Sequence, residues 1–283
     1  MTGEIEHVTD TAFWIASLRA EESARPDALF HDPLAGTLAG QKGRDIARAM
    51  PGSRMIAFTV SQRTTALDRL ILQAVASGVD TVLNLGAGLD TRPYRMALPA
   101  TLRWVEADFP DLIQFKTEKL AHERTACALE RIALDLSVRA ERQALLSRVT
   151  EPATRVLLIT EGVIPYLPDD EVGRLADDVY AEPKFGFWVQ EYYGMEARRH
   201  RGKVRKNLAA APFRFAAPDW FAFFAQHGFV SHTLIPMREE ALRNGRRPPL
   251  LSPLRPLMWD LGVKFRQKAD LIFGYAMLEP RRT

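Results

Sequence analysis

An α/β fold with a mostly parallel sheet and a helical N-terminal cap is predicted by three observations. Short apolar runs alternate with helically patterned stretches from residue 79 onward, the arrangement that builds a parallel sheet with crossover helices. The run Thr81-Val-Leu-Asn-Leu85 drives into the turn Gly86-Ala87-Gly88 and then into a polar helix start at Asp90 and Thr91. A second apolar run, Leu102–Ala107, ends among the acids Glu106 and Asp108, about 20 residues past the glycines, where a ribose-binding carboxylate is expected in such folds.

The elements follow in order. Residues 10–22 and 59–77 read as helices, the second stopped by Gly78. Strands are expected near 81–86, 102–107, 129–134, 155–160, 185–191, 228–233 and 269–278. Between the fourth and fifth strands, Asp169 reads as the cap of a helix whose Val172, Leu175, Ala176 and Val179 repeat at helical spacing. The chain is parsed as one domain: a helical cap (1–78), a ligand-binding core (79–194), a basic lid or insertion (195–218) and a closing helix with strands (219–283).

Gly86 and Gly88 let the backbone turn sharply and come within contact distance of a ligand, and a helix start offers unpaired N–H groups. A dinucleotide fingerprint needs a third glycine where Thr91 stands. Asp90 and Thr91 read as capping residues, and Pro93 suits a first helical turn. Glu106 and Asp108 fall on the same face of their strand, so spacing does not choose between them. Arg63 lies one turn before the apolar stripe Leu67, Leu70, Ile71, Ala74 and Val75; a guanidinium on a core-facing line needs an anion, either an internal acid such as Asp68 or a ligand carboxylate. Asp135 either ends a strand and caps the next helix or meets a ligand. Glu161 stands at the carboxyl end of Val156–Ile159, the edge where open α/β sheets bind ligands.

Taken together, Leu85-Gly-Ala-Gly-Leu-Asp-Thr-Arg-Pro-Tyr-Arg95, then Val105-Glu-Ala-Asp-Phe-Pro110 followed by Lys116, then Thr160-Glu-Gly-Val-Ile-Pro-Tyr-Leu167, resemble the leucine carboxyl methyltransferase family. The resemblance runs from Ala24-Arg-Pro-Asp-Ala-Leu-Phe-His-Asp-Pro33 to the last strand. It implies a Rossmann-like class I methyltransferase fold, a seven-stranded sheet in which Ala269–Leu278 runs antiparallel beside the fifth strand, with S-adenosyl-L-methionine as cofactor. The family pattern places the cofactor's carboxylate on Arg63, its backbone contact at Gly86, Ala87 and Gly88, its ribose on Asp108 and its adenine end at Asp135 and Leu136. Glu161 matches a further cofactor-contacting acid and Tyr166 a tyrosine near the acceptor pocket. Beyond Tyr193 the chain follows no pattern of the family.

The implied reaction is in-line attack of an acceptor oxygen on an activated methyl, for which the protein mainly aligns reactants and excludes water. Tyr166 and Arg63 are candidates for orienting the substrate. A carboxylate acceptor needs no general base, whereas a phenol or alcohol gains from one. A small-molecule O-methyltransferase of the polyketide type leads; a nicotinamide-dependent oxidoreductase and a non-enzymatic S-adenosylmethionine-binding protein are the rivals.

Composition agrees with an enzyme-sized globular chain of 283 residues, 47% hydrophobic and 26% charged. No apolar run suggests a membrane span and no leader is evident, so a cytoplasmic protein is expected. Cys127, the one cysteine, excludes an internal disulfide and reads as a core strand residue. The six histidines show no ligand spacing, and no metal is expected. The net charge of +3 hides local excesses: residues 195–210 hold six Arg or Lys against one acid, and residues 241–283 hold nine against three. Such segments are commonly solvated, yet the block around Arg198–Lys206 could steer an acidic or carrier-bound acceptor towards the pocket. No nucleic-acid module is evident. The aromatic stretch Pro212–Phe224 reads as core or as the lining of an apolar acceptor pocket.

Overall fold

The computed structural model describes residues 5, 7–50, 53–193, 212–249 and 273–282. The chain runs α1 (Asp10–Ser23), α2 (Ala35–Ala49), α3 (Ser53–Ala76), β1 (Thr81–Leu85), α4 (Arg92–Arg95), β2 (Arg103–Asp108), α5 (Pro110–Lys119) and β3 (Ala128–Ala133). It continues with α6 (Arg139–Thr150), β4 (Val156–Ile159), a 3-10 turn (Ile164–Tyr166), α7 (Asp169–Ala181), β5 (Phe185–Tyr193), α8 (Trp220–Gln226), β6 (Phe229–Pro236), α9 (Met237–Arg243) and β7 (Phe273–Pro280). The seven strands form one sheet in the order β3-β2-β1-β4-β5-β7-β6. β1 to β5 pair in parallel, and β7 is antiparallel to both β5 and β6.

The central strands carry apolar side chains on both faces because helices cover both. β1 and β4 are buried along their whole length. On one face Leu83, Leu85, Leu158 and Trp188 pack with Leu145 of α6, Leu175 and Val179 of α7 and Phe224 of α8. On the other, Val82, Trp104, Leu157 and Val189 pack with Leu67, Leu70, Ile71 and Ala74 of α3. Full burial of each such side chain stabilises the fold by roughly 1.5–3 kcal/mol. The helix α3 ends two residues before Gly78, whose φ of 91° reverses the chain into β1.

The expected strands are all found, with ends shifted by up to three residues. Residues 269–272 of the last one lie outside the described residues. The sequence reading passed over α2, whose apolar positions Leu38, Ala39, Ile46 and Ala47 are interrupted by three glycines. Asp169 is not a cap: Pro168 holds that position, and the Asp169 carboxylate instead accepts the Ala216 N–H. Cys127 stands one residue before β3 and is buried, which, with Glu106 nearby, pushes its thiol up to about 11. The Pro212–Phe224 stretch is core in part, with Phe215, Trp220 and Phe224 buried against Trp188 and Tyr192. The basic block at Arg198–Lys206 lies outside the described residues. Among the described residues no helix is long and apolar enough to cross a membrane.

The N-terminal cap braces the mouth of the sheet. Arg19 of α1 donates to the Leu89 carbonyl and, at 2.9 Å, to Asp32. Asp32 in turn accepts the Thr91 hydroxyl at 2.6 Å. The backbone after the glycine turn is thereby fixed from outside the sheet.

Candidate functional site

The sheet winds outward in opposite directions from β1 and β4, so the crevice between their carboxyl ends is the topological switch point. The Gly86–Gly88 turn follows β1 and Glu161 follows β4. Gly86 and Gly88 have φ of 65° and 51°, the left-handed region that penalises a β-carbon. At Gly86 a β-carbon would also stand 2.3 Å from Val163 Cγ2, so the loop after β4 closes directly onto the turn.

The turn does not offer the free donors expected of it. Gly86 and Ala87 donate to the Ala107 carbonyl at 2.8 and 3.3 Å, extending the parallel ladder with β2, and Gly88 donates to Asp108 Oδ2 at 2.6 Å. The helix that follows is a single turn, and its Arg92 N–H is capped by Asp90 Oδ1. Thr91 holds the N-cap position, with its hydroxyl on Asp32. A pyrophosphate needs several unpaired N–H groups, and this turn provides close approach without them.

Arg63 reaches the crevice from α3, and its acid is Glu161, not Asp68. Its Nε lies 2.8 Å from Glu161 Oε1 without the alignment of a hydrogen bond. No hydrogen bond from its terminal nitrogens is formed among the described residues. Asp68 is taken by Arg92 at 2.7 Å and Arg95 at 2.6 Å. Arg92 is almost wholly buried and also binds Asp90 at 2.9 Å and Glu161 at 2.8 Å. Burial alone would push Glu161 up, but Arg92 and Arg63 outweigh it and hold its carboxyl below the usual range. Asp90 is held down in the same way, chiefly by Arg92.

Glu106 and Asp108 share a face of β2 but differ in role. Glu106 is fully buried, with Lys116 at 2.8 Å and Arg131 at 3.0 Å. Asp108 sits at the strand end and accepts N–H groups from Gly88 and Phe109, one on each oxygen. That leaves each oxygen a further lone pair. Burial pushes its carboxyl up despite those two donors.

Asp135 and Leu136 follow β3, which β2 and β1 separate from β4. Asp135 Oδ1 accepts the Ser137 N–H at 2.9 Å and shapes the turn into α6, whose N-cap is Val138. The Leu136 carbonyl accepts from Arg142 at 2.8 Å, and its side chain packs on the core. Tyr166 ends the 3-10 turn with its ring 5.3 Å from that of Phe213. Burial, with Glu191 adding to it against Arg63, pushes the phenol up to about 12, so it is a neutral hydrogen-bonding group near pH 7.

Three residues of this neighbourhood escaped the sequence reading. Arg92 is the hub of the ion-pair network, yet its position beside Pro93 in a turn gives no sign of burial. Glu191 is 3% exposed near the end of β5, with the Gly162 N–H at 3.1 Å from both oxygens. An acid closing the apolar run Phe185–Gln190 is the same signal that singled out Glu161. Tyr275 of β7 pairs across the sheet with Glu191, is fully buried, and its hydroxyl has no hydrogen-bond partner among the described residues.

A sequence model of leucine carboxyl methyltransferases matches residues 12–180. The chain belongs to the leucine carboxyl methyltransferase family. Within it, a Streptomyces coelicolor protein provisionally named an S-adenosyl-L-methionine-dependent methyltransferase is 34% identical over 270 residues, covering 87% of this chain and 93% of that protein. A Frankia alni protein of the same provisional name is 34% identical over 256 residues, covering 86% of this chain and 88% of its own. Among solved structures, a provisionally named methyltransferase from Thermobifida fusca aligns with a TM-score of 0.57 at 15% identity, covering 95% of both chains. At that identity the likeness concerns the fold, and it matches the mixed seven-stranded sheet described above.

Proposed function

We propose that this member of the leucine carboxyl methyltransferase family is an S-adenosyl-L-methionine-dependent O-methyltransferase acting on a small-molecule acceptor. Methyl transfer from S-adenosylmethionine is the activity the family and its named relatives carry. One observation supports placing it in this crevice: a guanidinium, Arg63, held at the switch point beside Glu161, with no hydrogen bond from its terminal nitrogens among the described residues. A planar fork presented this way suits a carboxylate.

The residues fit the cofactor. Arg63 would hold its carboxylate, Asp108 the ribose hydroxyls, and Glu161 its ammonium, while Gly86 and Gly88 admit it close to the backbone. Asp135 and Leu136 lie at the far side of the same edge, where the adenine end would reach. When bound, the cofactor supplies a methyl group on a positively charged sulfur. Arg63 and Tyr166 then orient the acceptor, Tyr166 as a neutral phenol that donates or accepts a hydrogen bond without titrating near pH 7. Apolar cover from Val163 and Phe213 excludes water from the transfer.

The oxidoreductase reading is disfavoured by the spent N–H groups of the turn. Calorimetric titration with S-adenosylhomocysteine and with NADH separates the two: binding of the first alone is expected, and binding of NADH alone would overturn the proposal. Transfer of labelled methyl from S-adenosylmethionine across a panel of phenols, alcohols and carboxylates then tests for enzymatic activity and O-methylation. No label on any acceptor would leave a binding protein.

A further inference from the structure

The ion-pair network at the crevice does not balance. Arg63, Arg92 and Arg95 face Asp68, Asp90, Glu161 and Glu191, one carboxylate more than the cations. Asp68, Asp90 and Glu161 each lie within 3.0 Å of an arginine nitrogen. Glu191 has no ion pair among the described residues and is met only by backbone N–H groups, that of Gly162 at 3.1 Å and its own. Its cross-strand neighbour Tyr275 is fully buried beside Arg63, Glu161 and Glu191, its hydroxyl without a hydrogen-bond partner among the described residues. A buried carboxylate so weakly compensated is costly unless a cation joins it.

We propose that Glu191 is the counter-charge by which the site prefers the positively charged methyl donor over its neutral thioether product. This rests on the methyltransferase reading above. S-Adenosylmethionine carries one more positive charge than S-adenosylhomocysteine, the two being otherwise alike at the amino-acid end. With the sulfonium present, the surplus carboxylate is matched. Once the methyl has moved to the acceptor oxygen, the C–S bonding pair stays on sulfur, the positive charge is gone and Glu191 is again unmatched. The site thereby favours exchange of product for fresh donor.

The groups that face Glu191 set how it responds to pH. They are Arg63 from α3, Glu161 from the loop after β4, Tyr166 from the 3-10 turn and Tyr275 from β7. Burial pushes Glu191 up; the Gly162 N–H and Arg63 oppose it without cancelling it. The carboxylate therefore forms later in a pH rise than an ordinary glutamate's.

The test is calorimetric titration of the full chain and of Glu191→Gln with S-adenosylmethionine and S-adenosylhomocysteine. Wild type is expected to favour the donor by about tenfold near pH 7.5, and Glu191→Gln to lose most of that ratio while still binding the product. An unchanged ratio in the variant would overturn the proposal while leaving the methyltransferase reading intact. Wild type alone gives a second measure should the variant fail to fold: the donor-to-product ratio should rise between about pH 5 and pH 7.5, and a flat ratio would equally overturn it. Binding of neither nucleoside by wild type would remove the function itself.

Discussion

Arg92 Nη1 lies 2.8 Å from Glu161 Oε2, on the opposite side of the carboxylate from Arg63. A candidate ligand-binding acid is thus held by a residue that is itself almost wholly buried. Through Arg92 the acid is tied to Asp90 and Asp68, and so to the backbone of the turn and to α3.

Replacing Arg92 by Met should be severely destabilising. The side chain is nearly inaccessible, and three carboxylates would lose a counter-charge at once. Breaking a buried pair of this kind costs about 3–5 kcal/mol. Urea unfolding of the variant measures it; a loss below about 1 kcal/mol would show that the network is solvated in solution.

The two acids of β2 should separate cleanly. Asp108→Asn is expected to weaken S-adenosylhomocysteine binding by roughly 10- to 150-fold with little change in unfolding, as loss of charge-assisted hydrogen bonds worth about 1.5–3 kcal/mol would do. Glu106→Gln should instead lower stability, because Lys116 has no exposed side-chain surface and would lose its partner. Calorimetry and denaturant titration on both variants check the division.

Gly86→Ala should destabilise the fold by about 1–3 kcal/mol through its left-handed backbone, with the clash on Val163 in addition. Combining it with Val163→Ala removes the clashing methyl and should recover part of the loss. A double-mutant cycle measures the coupling, and strict additivity would show that the loop after β4 does not rest on the turn in solution.

Glu161 and Glu191 should show opposite pH signatures. Glu161 is held below its unfolded value, so it stabilises the fold above the unfolded pKa and loses that contribution as pH falls through its folded value. Glu191 is raised, so its relative contribution is greatest below the unfolded pKa and is lost as pH rises through its folded value. In thermal unfolding, the deficit of Glu161→Gln should therefore shrink towards acid pH. Glu191→Gln should gain on wild type as pH rises from about 5 to 8. Parallel shifts of the two variants would contradict these environments.

Most of the fold was legible because the central strands are short apolar runs set off by turn residues, and Arg63 was legible because a charge on a core-facing helical line is anomalous. Its partner was not. Nothing local distinguishes Asp68, five residues along the same helix, from Glu161, which is brought in by the parallel pairing of β1 and β4. Arg92 was hidden for the same reason, since its three acids come from three different segments. The tyrosine opposite Glu191 depends on an antiparallel register that only the folded sheet defines. Asp135 was expected to cap the next helix or meet a ligand, but Val138 holds the cap position, and Asp135 instead makes a local hydrogen bond in the turn before it.

The insertion of β7 between β5 and β6 has a consequence for biosynthesis. The ribosome makes β5 and β6 first, yet among the described residues β6 finds its sheet neighbour in β7 alone, and β5 lacks its second until the same strand emerges. Nascent chains halted before Phe273 would therefore leave one edge of β5 open and β6 without its β7 partner. Molecules cut short in this stretch are expected to be captured by chaperones or to aggregate, even with the candidate cofactor-binding residues Arg63 to Glu161 already translated.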